Sequence, residues 1–248
     1  MPHGVPLKHL KAIFFDVDDT FYSTSEFSKA ARVNAVKAMI DAGLTMTTTE
    51  CLRELNEVIQ EFSSNYDHHF DRLLQRVSPD KYQGVNTAVI VAAGVVAYHD
   101  TKFRQLEAYR DVLEVLAILH RAANRPLLGV ITAGLAIKQA EKLVRLKVLE
   151  YLDPQAIFVT DQLGISKPNR KLYLTACQRV GVKPREAMYV GDHPGNDVDP
   201  VNSLGMISVL NRRGGKYVGA KGKTEPSHVI SDFWDLLDIL QKSYHVAV

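Results

Sequence analysis

Only two cysteines, Cys51 and Cys177, occur in the 248 residues, and they form neither a CxxC pair nor a zinc-ligand spacing. This argues against a disulfide framework or a cysteine-rich metal site; two buried thiols in a reducing compartment are expected. Long apolar runs are also missing. The longest, Ala88–Tyr98, has 11 residues, whereas a membrane-spanning helix needs roughly 18 or more, so that stretch reads as a buried helix. Charge of one sign is not in excess: 30 basic and 28 acidic residues leave a formal net charge of +2. Nucleic acid and membrane surfaces therefore find no support as partners. After Met1 a charged stretch leads straight into a short apolar run, so no secretory leader is expected, and a soluble, cytoplasmic protein is.

What is present is the composition of a globular protein, 46% hydrophobic and 23% charged, with length enough for one large domain or a domain with a sizeable insert. Ala12–Phe15 is a short apolar run that stops at Asp16 and reads as a buried strand. From about residue 22 to 105 only helical patterns follow. Thr47 and Glu50 have capping-box spacing. Leu52, Leu55, Val58, Ile59 and Phe62 then recur at a helical period, as do Phe70, Leu73, Leu74 and Val77.

Beyond residue 106 strands and helices alternate. Strands are expected at 127–131, 156–159, 187–190 and 206–210, with a weak one at 228–230. Helices are expected around 112–119, 137–146 and 172–180. A last helix should be capped by Ser231 and carry Phe233, Leu236, Leu237 and Leu240, with Trp234 as core packing. The expected fold is α/β: a doubly wound, mostly parallel, Rossmann-like sheet of five or more strands. This core is discontinuous (1–21 and 106–248), with an all-helical cap inserted at 22–105. The segment 212–223, with four glycines and five basic residues, reads as a solvated, mobile loop or as one reaching over an anionic ligand.

Sheets of this kind bind ligands beyond the carboxyl ends of their strands. Four expected strands end there in polar residues: Asp16 with Asp18, Asp19 and Thr20; Thr132 with Ala133 and Gly134; Thr160 and Asp161 leading to Lys167; and Gly191-Asp192 with Asn196 and Asp197. Carboxylates gathered on one rim raise each other's pKa unless a cation neutralises them. Magnesium, which favours oxygen ligands and bridges carboxylates to a substrate phosphate, suits such a rim, and a lysine adds a point charge for the phosphate.

Asp16-Val17-Asp18-Asp19-Thr20 resembles the DxDx[TV] signature of the haloacid dehalogenase superfamily. Ile131-Thr132-Ala133-Gly134 resembles its second motif, Lys167 in Ser166-Lys167-Pro168 its third, and Gly191-Asp192 with Asp197 its fourth. The order and spacing match, and the helical insert resembles the caps that some members carry between the first two motifs. The resemblance implies a magnesium-dependent phosphatase acting on a small phosphorylated metabolite through an aspartyl-phosphate. Asp16 would be nucleophile and Asp18 general acid and base. Asp16, the backbone carbonyl of Asp18, and Asp192 would hold magnesium. Asp197 would orient metal waters or Lys167. Thr132, with the N–H groups of Ala133 and Gly134, would bind the phosphoryl oxygens, and Lys167 would stabilise their charge and restrain Asp16. Thr20 would fix the turn.

Many family members have Gly where Asp19 stands and Asn where Ala133 stands; Asp19 then reads as a solvent-side charge or a helix-start partner. The segment from Gly191 through Gly205-Met206 to Gly215-Lys216-Tyr217 resembles archaeal members described as glyceraldehyde 3-phosphate phosphatases, which implies a sugar or triose phosphate. A phosphomutase would share every motif, and a non-catalytic phosphate-binding module is the alternative of another class. The sequence sets no oligomeric state. A cleft between core and cap is the expected place of the substrate, with His193 and Tyr22 as neighbours of it.

Overall fold

In the computed structural model, which describes residues 10–64 and 66–247, the run Ala12–Phe15 is strand β1, buried along its whole length. Four helices follow: α1 (Thr24–Asp41), α2 (Thr48–Phe62), α3 (His69–Arg76) and α4 (Thr87–Gln105). The chain then runs α5 (Arg110–Arg121), β2 (Leu127–Thr132), α6 (Ala136–Arg145), β3 (Ile157–Val159), α7 (Thr160–Leu163), α8 (Arg170–Arg179), β4 (Ala187–Gly191), α9 (Asp199–Asn202), β5 (Ile207–Asn211), β6 (His228–Ile230) and α10 (Phe233–Tyr244). Two compact units result. One extends through Thr24 and resumes at Glu107; the other is Ser25–Leu106.

The first unit is built on six parallel strands in the order β3-β2-β1-β4-β5-β6. A parallel sheet is covered on both faces, which is why its strands read as unbroken apolar runs. Successive side chains point to opposite faces. Phe14 packs with Phe158, Leu172, Tyr173 and Tyr189. Phe15 meets Phe21 and Phe233, with ring centroids 5.4 and 5.7 Å away.

Two expectations for the last helix need correction. Asp232, not Ser231, caps α10, accepting a hydrogen bond from the Asp235 amide at 2.9 Å. Trp234 is 44% exposed. Phe233, Leu236, Leu237 and Leu240 fill the inward stripe, and a residue one step along a helix is turned ~100° from its neighbour.

In the helical unit, Met39, Cys51, Leu55, Leu73 and Ile90 form the centre of the core. Thr47 and Glu50 make both limbs of the capping box. The Ala88–Tyr98 stretch is helical but not buried throughout. Ile90, Gly94 and Thr101 define the inward face of α4, while Val89 and Val96 are 56% and 59% exposed. Among the described residues, no helix is long and apolar enough to cross a membrane.

The strand order reverses between β1 and β4, and the crevice at such a switch point is where this architecture gathers ligands.

Candidate active site

Phe15 of β1 is paired with Val190 of β4, and the Asp16 amide donates to the Val190 carbonyl at 2.8 Å. Both chains then leave the sheet, so pairing alone sets Asp16 beside Gly191 and brings Asp192 to the same edge. Asp197 follows in a short π-helical segment, Pro194–Val198. Its carboxylate is pinned at both ends: Oδ1 is 2.9 Å from Lys167 Nζ and Oδ2 accepts from the His193 amide at 3.0 Å. Lys167, which reaches this edge from the segment between α7 and α8, is also 3.0 Å from Asp16 Oδ1. Lys167 thus bridges the carboxylates of Asp16 and Asp197.

Asp16, Asp192 and Asp197 each offer a carboxylate oxygen within 4.8 Å of the others. They line a cavity of about 150 Å³ together with Asp18, Asp19, Ala133, Lys167, His193, Asn196 and Tyr217. Three carboxylates face one ammonium, so the cluster lacks about two positive charges. The electrostatics reflect this. Burial, then the neighbouring carboxylates Asp16 and Asp197, push Asp192 up to about 8. Asp16 rises to about 6: burial is the main cause, Lys167 opposes it, and Asp197 and Asp18 reinforce it. Burial would lower Lys167, but Asp16 and Asp197 hold it above its ordinary value. Three buried carboxylates within 4.8 Å of one another, two of them with raised pKa, make an all-oxygen donor set that fits a hard divalent cation such as magnesium.

Asp18 has a different environment. Lys142 Nζ lies 2.6 and 2.7 Å from its two oxygens. Gln139 Nε2 donates to Oδ2 at 3.2 Å, and the Tyr22 and Thr24 hydroxyls donate to Oδ1. Burial raises its pKa, but the Lys142 charge and these hydrogen bonds outweigh it, and Asp18 sits below the usual carboxylate range. Gln139 also donates to the Ala133 carbonyl at 2.8 Å and accepts from the Thr132 hydroxyl at 3.2 Å.

Thr132 is therefore fully buried with its hydroxyl on Gln139, and the Gly134 amide donates to Thr160 Oγ1 at 3.2 Å. Of that loop, Ala133 reaches the cavity wall. Asp161 accepts from the Ala136 amide at 2.9 Å and so serves the start of α6. Asp19, with φ 52°, accepts from the Thr24 amide at 2.8 Å, which is the helix-start role. The Thr20 hydroxyl is buried without a partner; the turn is held by the Phe21 amide on the Val17 carbonyl at 3.0 Å.

The 212–223 segment is tied down. Arg213 pairs with Asp111 through both guanidinium nitrogens and lies 4.2 Å from the Tyr109 ring centroid. Gly215, at φ +85°, approaches so closely that a Cβ there would sit 2.7 Å from Asp19 Cγ. Tyr217 packs on His193, ring centroids 4.1 Å apart, and both line the cavity. His193 Nδ1 accepts from the Gly195 and Asn196 amides, which leaves Nε2 as the protonated nitrogen of the neutral ring.

Sequence reasoning did not find Lys142 or Gln139. Neither stands out along the chain, because the fold sets which face of α6 turns inward. On α6 the polar Gln139 is buried while Ile137 and Val144 are exposed, an inversion of the usual pattern.

A family model described as a haloacid dehalogenase-like hydrolase matches residues 10–205. A glyceraldehyde 3-phosphate phosphatase of Methanopyrus kandleri is 42% identical, covering 94% of this chain and 98% of its own. One of Methanocaldococcus jannaschii is 37% identical over 94% and 97%. A crystal structure of a HAD phosphatase from Thermococcus onnurineus superposes with a TM-score of 0.66, at 23% identity, over 96% of this chain and 100% of that one. That last likeness is one of fold.

Proposed function

Because the chain belongs to the haloacid dehalogenase-like hydrolase family, we propose that this phosphatase hydrolyses a small phosphorylated metabolite, glyceraldehyde 3-phosphate or a close relative, by way of a phosphoryl group carried on Asp16. The observation that carries the reading is the cavity where Asp16, Asp192 and Asp197 meet and Lys167 is the one ammonium among the described lining residues. An anionic phosphate enters such a place only with compensating charge.

Asp16 and Asp192, with the backbone carbonyl of Asp18, are the groups that would hold magnesium. When bound, it neutralises the carboxylates and draws charge from the phosphoryl oxygens. The remaining chemistry belongs to the chain. Asp16 attacks phosphorus, and the bond to the ester oxygen breaks as that oxygen takes a proton from Asp18; the free site holds Asp18 as the carboxylate, so its acid form arises with the anionic phosphate beside it, which raises its pKa. Water then attacks the phosphoaspartate, gives its proton to Asp18, and frees Asp16 and inorganic phosphate. Lys167 supports the charge on the transferring group and is itself held by Asp197. The Ala133 loop contributes its backbone to the phosphoryl oxygens. His193 and Tyr217 flank the rest of the substrate, and the 42% identical M. kandleri phosphatase supports a triose phosphate there.

The test is phosphate release from a panel of phosphorylated metabolites with magnesium, using wild type and Asp16→Asn. Steady release from wild type, fastest on a triose or small sugar phosphate, and none from Asp16→Asn is expected. Isomerised sugar phosphate without release would point to a phosphomutase. Full activity in Asp16→Asn, or activity that survives thorough chelation, would defeat the mechanism.

A further inference from the structure

Resting on the phosphatase reading above, we propose that Lys142 is a positioning residue of the reaction, a tether on α6 that holds the Asp18 carboxylate at the cavity wall. Its ammonium is 2.6 and 2.7 Å from the two oxygens. A cation placed astride both oxygens resists rotation of the carboxylate and keeps one contact when the other oxygen turns toward a substrate. The lysine side chain is 18% exposed and the aspartate side chain 30%. The pair thus lies partly screened from water, where geometry is worth more than in an open surface pair.

Gln139 and Lys142 stand at i and i+3 and share one helix face. Through them α6 governs two loops at once. Gln139 links Asp18 to the Ala133 carbonyl and the Thr132 hydroxyl, so the group that moves protons and the loop beside the phosphoryl site are kept in register by one helix. The Tyr22 and Thr24 hydroxyls donate to Oδ1, one of the two oxygens that Lys142 holds. Asp18 must reach the ester oxygen in one half of the reaction and a water in the other. A carboxylate free to swing would lose that alignment. Lys142 is not placed as a phosphate ligand, because its charge is spent on Asp18 and Lys167 occupies the Asp16 side.

The experiment is a double-mutant cycle with Lys142→Met and Asp18→Asn, singly and together, with Lys142→Arg alongside. Activity is measured with magnesium on glycerol 3-phosphate and on 4-nitrophenyl phosphate, and folding by thermal melts. Lys142→Met is expected to lower kcat on the alkyl ester ~10–100-fold, a part of what a proton-transfer group contributes, with KM changed less than ~2-fold. The loss should be smaller on the aryl ester, whose nitrophenolate leaves without a proton. Lys142→Arg should recover most of the rate. In the Asp18→Asn background the methionine should cost nothing more, since Lys142 then has nothing to position.

Three results would overturn the proposal: wild-type kcat in Lys142→Met on the alkyl ester, losses that multiply in the double variant, or a raised KM with kcat retained. If the methionine variant melts below assay temperature, Lys142→Gln takes its place in the cycle. Wild-type kcat in Asp18→Asn would remove the proton-transfer reading and this proposal with it. An inactive Asp18→Asn beside an unaffected Lys142→Met removes this proposal alone.

Discussion

Asp192→Asn should make the cation-free protein more stable while it abolishes phosphatase activity. In the absence of a cation, Asp16, Asp192 and Asp197 repel one another across less than 4.8 Å, and Asp192 is moved from 3.8 to about 8 by burial and by those neighbours. Folded protein then binds more protons than unfolded protein between those two values, so stability falls as pH rises through that window. Each pH unit is worth at most ~1.4 kcal/mol. Water penetration and relaxation leave a fraction of the full rise, so we take ~1–3 kcal/mol at neutral pH, or ~2–10 °C for a chain of this length. The amide keeps the shape and removes the charge. Thermal melts of both proteins in EDTA from pH 5 to 8, repeated with magnesium, measure this. The expected result is a wild-type Tm that falls with pH in EDTA, a flatter and higher curve for Asp192→Asn, and a gain with magnesium for wild type only. A variant less stable than wild type in EDTA at pH 7.5 would refute the charge argument.

Three further outcomes follow from the same geometry. Gly191→Ala places a Cβ 2.4 Å from Asp197 Oδ2, an overpacking of ~1–3 kcal/mol that also displaces the partner of Lys167; a lower melting temperature and lost turnover are expected together. Asp111→Asn breaks the pair with Arg213 and weakens the 2.8 Å bond from the Phe233 amide, at a cost of ~2 kcal/mol. Burial raises Asp111, but the Arg213 and Phe233 contacts lower it further. Its contribution should therefore be present in full above pH 3.8 and vanish as pH drops through the lower folded value, which denaturant titrations at pH 6 and pH 3 would reveal. Tyr217→Ala removes a ring that lines the cavity and packs on His193; steady-state kinetics on a triose phosphate should show a raised KM with kcat little changed.

Much of this protein was legible along the chain because the information is local. Unbroken apolar runs such as Ala12–Phe15 and Ala187–Val190 specify strands of a sheet covered on both faces. The residues that end them, Asp16 and Asp192, are brought to one edge by any parallel pairing of those two strands. The same locality made Thr47 and Glu50 readable as a helix start.

What the tertiary structure decided is which helix faces turn inward and which distant groups meet. Trp234 and Phe233 are neighbours in sequence, yet only Phe233 lies on the stripe of α10 that packs on the sheet. Val89 and Val96 are as apolar as Ile90, yet one side of α4 suffices for its core. Lys142 stands 124 positions from Asp18 and looks, in sequence, like any lysine on an amphipathic helix. Its pairing arises because α6 runs from the end of β2 beside β1, a consequence of strand order. A one-dimensional pattern records hydrophobicity and turn chemistry; which charges neutralise each other depends on distances of a few ångströms that only the packed chain sets.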